Sequence, residues 1–401
     1  MRTFYLIPCL LSALCLSNSE ASAQKSKAFA ITGSTKGDVS WTTVKQIDLS
    51  SGAEVKNLYS PKDRPAMLDA LSGARTAGIV TAPTESLVAA TAYDDKTNRL
   101  FFTPMHSNEL RYFDLNKGTN AVYYVRNTPL KSFEEKSEAD VITRMCFGAD
   151  GYGYALTNDA SHLIRFTSGS KITITDMGAV QDGADNESIS IRNLCTSWGG
   201  DMIADAMGNL YVVSMKKNVF KINPQTMVAD FMGAIENIPA DYTINGAAVD
   251  DKGKVVVSSA SKTDNYYSFD LATLKATAVA KKEAEVYNAS DLASGHLAYE
   301  NVADAKLNPA VNVSGNAAVS VYPNPVLNRS FQLSFDKVAT GTQTVQLATV
   351  SGTNVLTKVI NVNAKSTTQI TLPASVRSGV YAIKVIDGTG KVSYSGKIVV
   401  Y

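Results

Sequence analysis

A segment that recurs four times in the middle of the chain constrains its fold more than any other feature. Each copy has a run of apolar residues, an Asp, a Gly or Asn about three residues later, and a second apolar run. The copies are TAYDDKTNRLFFTP from Thr91, CFGADGYGYALT from Cys146, IADAMGNLYVVS from Ile203 and AAVDDKGKVVVSS from Ala247. Their aspartates are Asp94, Asp150, Asp205 and Asp250, and their turn positions are Thr97–Asn98, Gly153, Gly208 and Gly253.

Each copy predicts a β-hairpin, because Asp accepts hydrogen bonds from its own turn and Gly or Asn tolerates a positive φ. A third strand and a polar turn follow, as in NVFKINPQT, and then a fourth strand such as AVYYVRN. Four antiparallel strands that recur every 45 to 56 residues are the unit of a β-propeller. The sequence therefore predicts an all-β protein with a propeller of five or six blades, and it carries no GH…WD pair that would indicate a propeller family.

The two ends of this region predict one blade shared between them. Ala28 to Ser60 contains the second, third and fourth strands of a blade, and Val286 to Asn301 supplies the missing inner strand. Pairing the two ends leaves no sheet edge free, which favours a closed ring of blades.

The first 23 residues have the order of a signal peptide. Arg2 provides a positive start, and Phe4 to Leu16 form an apolar core that is shorter than the roughly 20 residues needed to span a bilayer. Small residues then predict cleavage between Ala23 and Gln24. Lipidation at Cys15 is disfavoured because a leucine precedes it. We expect an exported mature chain without a transmembrane segment.

Charge and cysteine content exclude several classes of function. Lys and Arg number 38 against 37 Asp and Glu, and there is no basic run, so the chain has no field that attracts nucleic acid or anionic lipid. Only Cys146 and Cys195 remain after signal-peptide removal. They form either one disulfide or two free thiols.

A second, smaller unit is predicted at the C-terminal end. Residues 302–317 have few apolar residues and no periodicity, which is typical of a linker. From residue 318 onward short strands alternate between turns, as in YAIKVI, where Tyr381, Ile383 and Val385 share a face. About 85 residues of this kind predict an Ig-like antiparallel sandwich. The expected division is a signal peptide at 1–23, a propeller at 24–301, a linker at 302–317 and a C-terminal domain at 318–401.

Three motifs follow one another in this C-terminal unit. They are an opening Tyr322-Pro323-Asn324-Pro325, a strand start at Ser378-Gly379-Val380-Tyr381, and a closing Gly396-Lys397 followed by Ile-Val-Val. In this order, they resemble the type A sorting domain of type IX (Por) secretion cargo in the Bacteroidetes. The resemblance implies export in two steps: the signal peptide leads to the periplasm, and the sorting domain then engages the type IX machinery. It also implies removal of the domain, with release or surface attachment of the cargo. An ordinary Ig-like module is the alternative.

Candidate ligand-binding residues lie at the starts of the predicted innermost strands, because propellers usually bind ligands at one mouth of the central channel. They are Glu85, Arg144, Asp201, Asn245 and Asp291, with Trp198 as a stacking face for a sugar. Charges there must be hydrated, paired or bound to a ligand. The alternative is a water-filled channel whose charges are satisfied by neighbouring blades, with Trp198 packed between blades.

Two further segments attract interest. Asp182, Asp185, Asn186 and Glu187 lie in an apparent insertion and offer the oxygen ligands that calcium takes, although a solvated loop is the alternative. Pro61 to Glu85 is too long for an ordinary blade connection, and we expect a short helix at 66–71 within it. No cofactor other than calcium is indicated.

The leading functional hypothesis is a non-enzymatic, exported propeller that binds an extracellular glycan or protein. His106, His162 and His296 lack the spacing of metal-binding pairs, and no catalytic motif is present. The alternative is an extracellular hydrolase or lyase acting on polysaccharide or peptide, with carboxylates from different blades at the channel mouth. A scaffold that acts through exposed apolar blade surfaces is the third possibility.

Overall fold

Strands dominate the protein because apolar and polar residues alternate along much of its length. The computed structural model describes residues 27–76, 82–107, 109–125, 129–134, 136–300, 319–322, 326, 329–335, 340–349, 352–363, 366–376 and 379–400. The predicted signal peptide, with its Ala23–Gln24 cleavage site, and the predicted linker lie outside these residues.

The larger part of the chain contains 22 of the described strands and two short 3-10 helices, at Pro61–Asp63 and Pro129–Ser132. The strands are β1 (Ala28–Thr32), β2 (Thr43–Asp48), β3 (Ala53–Tyr59), β4 (Ala66–Asp69), β5 (Val88–Asp94), β6 (Arg99–Pro104), β7 (Leu110–Asp114), β8 (Ala121–Val125), β9 (Ile142–Phe147), β10 (Gly153–Thr157), β11 (Leu163–Phe166), β12 (Ile174–Asp176), β13 (Gln181–Asp182), β14 (Asp201–Ala204), β15 (Leu210–Val213), β16 (Asn218–Asn223), β17 (Val228–Ala234), β18 (Gly246–Val249), β19 (Val255–Ser258), β20 (Tyr267–Phe269), β21 (Ala276–Ala278) and β22 (Ala289–Ser294).

These strands form five sheets, each with a core of four antiparallel strands. From the inner to the outer strand, blade 1 is β22-β1-β2-β3, blade 2 is β5 to β8, blade 3 is β9 to β12, blade 4 is β14 to β17, and blade 5 is β18 to β21. The inner strands touch in the cyclic order β22, β5, β9, β14, β18 and back to β22. The β-propeller prediction is confirmed, and the described residues form five blades.

Blade 1 joins the two ends of the propeller, as its sequence predicts. Strand β22 pairs antiparallel with β1, from Ala28 opposite Ser294 to Thr32 opposite Ala289. Apolar side chains fill the space between neighbouring sheets. For example, the ring centroids of Phe101 on blade 2 and Phe166 on blade 3 lie 5.2 Å apart. Burial of such rings is the main force that holds the blades together.

The repeated aspartates close the hairpins between first and second strands. The Asp205 carboxylate accepts hydrogen bonds from the backbone N–H groups of Met207 (2.8 Å) and Asn209 (2.9 Å) and from the Tyr211 hydroxyl (2.8 Å). In blade 3 the left-handed turn position is Gly151, with φ of 81°. The sequence pattern predicts Gly153 for this role, but Gly153 instead begins β10. A Cβ at that position would lie 2.1 Å from the Phe166 ring, so that glycine is needed for packing.

Replacing Asp205 with alanine should destabilise the propeller far more than the same change at Asp250. Asp205 is buried, so its loss leaves the buried Tyr211 hydroxyl and two half-buried N–H groups unpaired, at a cost of about 2–4 kcal/mol. Asp250 accepts the N–H groups of Lys252 and Lys254 at the surface, where water replaces it, and we expect about 1 kcal/mol or less. Urea unfolding of the two variants would measure the difference, and equal losses would contradict this account.

The long segment after blade 1 does not form the helix predicted at 66–71. Ala66–Asp69 is the strand β4, which pairs in parallel with β8 on the outer edge of blade 2. The Asp69 carboxylate accepts the N–H groups of Leu71 and Ser72 and so forms a turn directly after it. Pairing with an open strand edge outweighs the local helix propensity of MLDAL.

The C-terminal part forms a separate β-sandwich, which confirms the second half of the fold prediction. Its strands are β23 (Val319–Tyr322), β24 (Ser330–Phe335), β25 (Gly341–Thr349), β26 (Asn354–Val362), β27 (Ser366–Thr371), β28 (Gly379–Asp387) and β29 (Val392–Val400). Sheet β23-β24-β27 faces sheet β26-β25-β28-β29 across a core that includes Phe331, Leu347, Ile383 and Ile398.

The described residues of the three sorting motifs lie in strands β23, β28 and β29 of this sandwich. Tyr322 ends β23, while Pro323, Asn324 and Pro325 lie outside the described residues. Gly379, Val380 and Tyr381 begin β28, and Ser378 before them is also outside the described residues. Gly396 and Lys397 lie in β29, whose last residues enter the core.

Candidate functional site

The centre of the propeller holds two carboxyl groups from different blades. Asp201 begins the inner strand of blade 4, and Asp291 lies in the inner strand of blade 1; neither is accessible to solvent. The Asp201 carboxylate accepts N–H groups from Met202 (2.6 Å) and Ala247 (2.7 Å), with a longer contact to Met145 (3.5 Å). Asp291 accepts the N–H group of Thr91 at 2.7 Å. The two side chains therefore connect the inner strands of all five blades.

Electrostatics in this pair follow from burial. Removal from water raises the pKa of Asp201 above its usual range, although the hydrogen bonds that the carboxylate accepts from N–H groups oppose the shift. Burial raises the pKa of Asp291 well above its usual range, and the neighbouring Asp201 carboxyl adds to the increase. Because each carboxyl lies close enough to shift the pKa of the other, the two titrate as a pair.

Arg144, another predicted mouth residue, is completely buried beside this pair. Its guanidinium donates to the carbonyl oxygens of Thr157, Ser197 and Gly199, the last at 3.0 Å from Nη2. Burial lowers its pKa to about 10, while Asp201 acts in the opposite direction, so the group stays charged at neutral pH. Arg144 thus anchors the segment that leads into blade 4, and its positive charge lies near the carboxyl pair.

A cavity of about 20 Å³ is lined by all five inner strands, with Ala92, Met145, Ile203, Ala247 and Leu292 among its walls. This volume holds about one or two water molecules. Asp201 and Asp291 are not among its lining residues, and neither carboxyl is accessible to solvent, so a substrate cannot reach the pair in this structure.

The other three predicted mouth residues lie away from the pair. Glu85 is exposed in the connection before β5. Asn245 is half-buried, and its side-chain oxygen accepts a hydrogen bond from the N–H group of Ala260 at 3.0 Å, which joins the start of β18 to the loop after β19. Trp198 is half-buried, with its indole N–H donating to the Arg192 carbonyl at 3.0 Å. The structure brings together Arg144, Asp201 and Asp291 and does not bring the other three to them.

Both tryptophans of the chain lie on one face of the propeller. The start of each inner strand pairs with the end of the second strand, as Val88 does with Pro104, so loops before inner strands and after second strands share a face. Trp198 lies in a loop of the first kind. Trp41 lies in one of the second kind, where its indole N–H donates to the Ala260 carbonyl at 3.3 Å. We call this side the loop face.

The predicted calcium loop uses its polar groups internally. The Asp182 carboxylate accepts the Ser190 hydroxyl (2.6 Å) and the Ile191 N–H (2.8 Å). The buried Asn186 side chain accepts the Phe231 N–H and donates to the Ala229 carbonyl. Asp185 and Glu187 are exposed. In the described part of the chain, no three His, Cys, Asp or Glu side chains are grouped so that they could hold a metal ion.

The histidines and cysteines are dispersed. His162 contacts Asp176 (2.7 Å), His296 contacts Glu300 (3.4 Å) and His106 lies 3.8 Å from Glu138. Cys146 is buried, which raises the pKa of its thiol, whereas Cys195 is exposed; the two are not bonded to each other.

The sequence does not predict the pairing of Asp201 with Asp291. It predicts each residue at the channel mouth from its strand position, but their contact depends on blades 1 and 4 meeting across the axis. A usable signal was present, since an Asp at the beginning of an otherwise small and apolar inner strand needs a partner when it is buried.

Fold and site together define a five-bladed β-propeller with a buried carboxyl pair at its centre, followed by a small β-sandwich. The family model described as secretion system C-terminal sorting domain matches residues 320–401. The match confirms the resemblance found in the sequence, and places the protein on the type IX route, secreted or at the outer-membrane surface. No helix in the described part of the chain is long and apolar enough to cross a membrane.

One known protein is similar to part of the chain. WD repeat-containing protein 1 of Xenopus tropicalis is 22% identical over an alignment of 237 residues, which covers 56% of this chain and 36% of that protein. The chain thus spans just over a third of that relative's length.

Three solved structures cover much of the chain. PorZ, a surface component of the type IX secretion system of Porphyromonas gingivalis, is 13% identical and covers 93% of this chain and 51% of its own, with a TM-score of 0.30. Virginiamycin B lyase from Staphylococcus aureus is 10% identical, and the match covers 77% of this chain and 83% of the lyase, with a TM-score of 0.28. A protein of unknown function from Bacteroides thetaiotaomicron is 11% identical, and the match covers 68% of this chain and 72% of that protein, with a TM-score of 0.39.

Proposed function

We propose that this protein is an exported binding protein whose propeller recognises an extracellular glycan or protein through its loop face. The observation that carries the proposal is the contrast between the two parts of the propeller. The carboxyl pair at the axis is sealed from solvent. The loop face carries two partly exposed indole rings, each held by a hydrogen bond from its N–H group.

Indole rings that a hydrogen bond holds in place are suited to a binding surface. An indole whose N–H is already bonded presents a rigid apolar face, so stacking on a sugar or apolar side chain loses little conformational entropy. Two exposed aliphatic side chains accompany the rings in the same loops: Val39 beside Trp41 and Leu194 near Trp198. The ligand thus has an apolar face of its own, as pyranose rings and apolar side chains do.

The hydrolase or lyase alternative needs carboxylates that a substrate can reach. The axial pair is inaccessible, so the binding function ranks first.

The scaffold alternative needs a contiguous apolar surface. The large exposed apolar side chains are spread over separate elements, from Val55 on β3 to Val359 on β26.

Each predicted part of the chain has its own role. The propeller at 24–301 binds the ligand, the linker at 302–317 separates the two domains, and the domain at 318–401 directs export. The signal peptide is cleaved after Ala23. A calcium ion at the Asp182 loop would serve only to stiffen that loop, since Asp182 and Asn186 already close it without an ion.

Trp198→Ala and Trp41→Ala should each weaken binding by about tenfold, which corresponds to about 1.4 kcal/mol. The measurement is equilibrium binding to an array of host and bacterial glycans and to extracellular proteins, with the full chain as the reference. Tyr123→Ala is the matched control, because Tyr123 is a partly exposed aromatic on the outer strand of blade 2 and not on the loop face. Unchanged binding in both tryptophan variants, or an equal loss in the control, would refute a loop-face site.

A further inference from the structure

One of the four carboxyl oxygens in the axial pair accepts no hydrogen bond from a backbone N–H group. Both oxygens of Asp201 accept N–H groups, and Oδ2 of Asp291 accepts that of Thr91. Oδ1 of Asp291 is buried and accepts no hydrogen bond from an N–H or hydroxyl group of the described residues. A buried, ionised oxygen without a donor is costly, and a second carboxyl alongside increases the cost.

We propose that Asp201 and Asp291 share one proton, carried on Oδ1 of Asp291, and that this proton acts as a pH-sensitive clasp between the blades at the propeller axis. The protonated Asp291 carboxyl donates to the Asp201 carboxylate, which supplies the missing hydrogen bond. No covalent bond is made or broken apart from the O–H bond that holds the proton.

The surrounding charges fit one proton better than a cation or none. Strand β9 contributes Arg144 and the Cys146 thiol, whereas β5 and β18 face the pair through the N–H groups of Thr91 and Ala247. With one proton on the pair, the positive Arg144 balances the remaining negative charge. A metal ion would lie beside several N–H hydrogens, which repel it.

The direction of the pH effect follows from the carboxyls binding a proton more tightly in the folded state. In the unfolded chain, both carboxyls ionise near pH 4. In the folded chain, burial and the neighbouring Asp201 carboxyl raise the pKa of Asp291, which carries the shared proton, well above its usual range. The stability that this proton contributes is therefore complete at acid pH and is lost as pH rises above about 4, until Asp291 releases the proton.

Hydrogen exchange of the full chain, read by mass spectrometry, tests the clasp locally. After correction for intrinsic exchange, protection of peptides from β5 and β22 should fall by up to about tenfold per pH unit between about pH 5 and the pH at which the proton leaves. The sandwich strand β28 serves as the internal reference, and its protection should not follow the same curve.

Two isosteric substitutions separate the proposal from a general pH effect. In the Asp291→Asn variant, the new side-chain amide can accept the Thr91 N–H and donate permanently to Asp201. The pH dependence should therefore vanish, and the inner strands should be better protected at alkaline pH. Asp201→Asn must turn its amide nitrogen towards an N–H donor, so protection should drop at every pH. Wild-type pH dependence in Asp291→Asn, or equal tolerance of both substitutions, would overturn the proposal.

Infrared spectroscopy provides a readout that does not depend on the Asp201 variant folding. A protonated carboxyl shows a carbonyl stretch distinct from that of a carboxylate. The full chain at neutral pH should show this band and Asp291→Asn should lack it. Absence of the band in the full chain at neutral pH would remove the basis for a shared proton.

Discussion

A chain truncated after residue 317 should not reach the cell surface and should accumulate in the periplasm of its own host. The sorting domain matched at 320–401 is the part of the molecule that engages the type IX machinery, and the truncation removes all of it. The propeller has its own sheets and apolar clusters, so it should still fold. Cell fractionation and antibody labelling of intact cells would measure the distribution. Undiminished surface labelling of the truncated chain would refute the export route.

A point substitution tests whether the folded sandwich, and not merely its sequence, is required for export. Ile383→Asp places a carboxylate in the completely buried core of β28, at a cost of several kcal/mol, which should unfold the sandwich and block surface arrival. Thr357→Asp introduces the same charge on the exposed part of β26 and is the matched control. Equal surface labelling of both variants would show that the export signal is read from an unfolded segment.

Much of the fold could be predicted from the sequence because its determinants are local. Asp205 and Gly208 define a hairpin within a few residues, and alternation in YAIKVI defines the buried face of β28. Blade closure was also predictable, because Ala28 to Ser60 lacks an inner strand and Val286 to Asn301 supplies one. These features require only short-range patterns and the rule that sheet edges are covered.

The incorrect and missing predictions concern contacts between distant segments. The strand at Ala66–Asp69 exists because β8 offers an open edge, which no local pattern reveals. The sequence predicts Asp201 and Asp291 near the axis, but the effect of each carboxyl on the pKa of the other depends on which inner strands meet there. The role of Arg144 likewise depends on carbonyl groups from a neighbouring blade. Local sequence specifies the blades, and the packed ring determines the chemistry of its centre.

Arg144→Met should destabilise the propeller by about 3–5 kcal/mol, the largest effect that we expect from a single substitution outside the sandwich. Methionine fills much of the same volume but leaves the carbonyl oxygens of Ser197 and Gly199 without their donor, in a site closed to water. It also removes the positive charge near Asp201, which makes ionisation of the axial pair still more costly. Urea unfolding, followed by fluorescence of the two tryptophans, would measure the loss.

Lys217→Met is the matched control for Arg144→Met. Lys217 also donates to backbone carbonyls, those of Pro239 (2.6 Å) and Ala240 (3.4 Å), but it does so at the surface. Water replaces the lost donor there, so we expect about 1 kcal/mol or less. If Arg144→Met were no more harmful than this control, the carbonyl groups around Arg144 would have to find water or other donors. The site around Arg144 and the carboxyl pair would then be open to water. Both the shared proton and the ranking of binding above catalysis depend on its closure, so both would lose their basis.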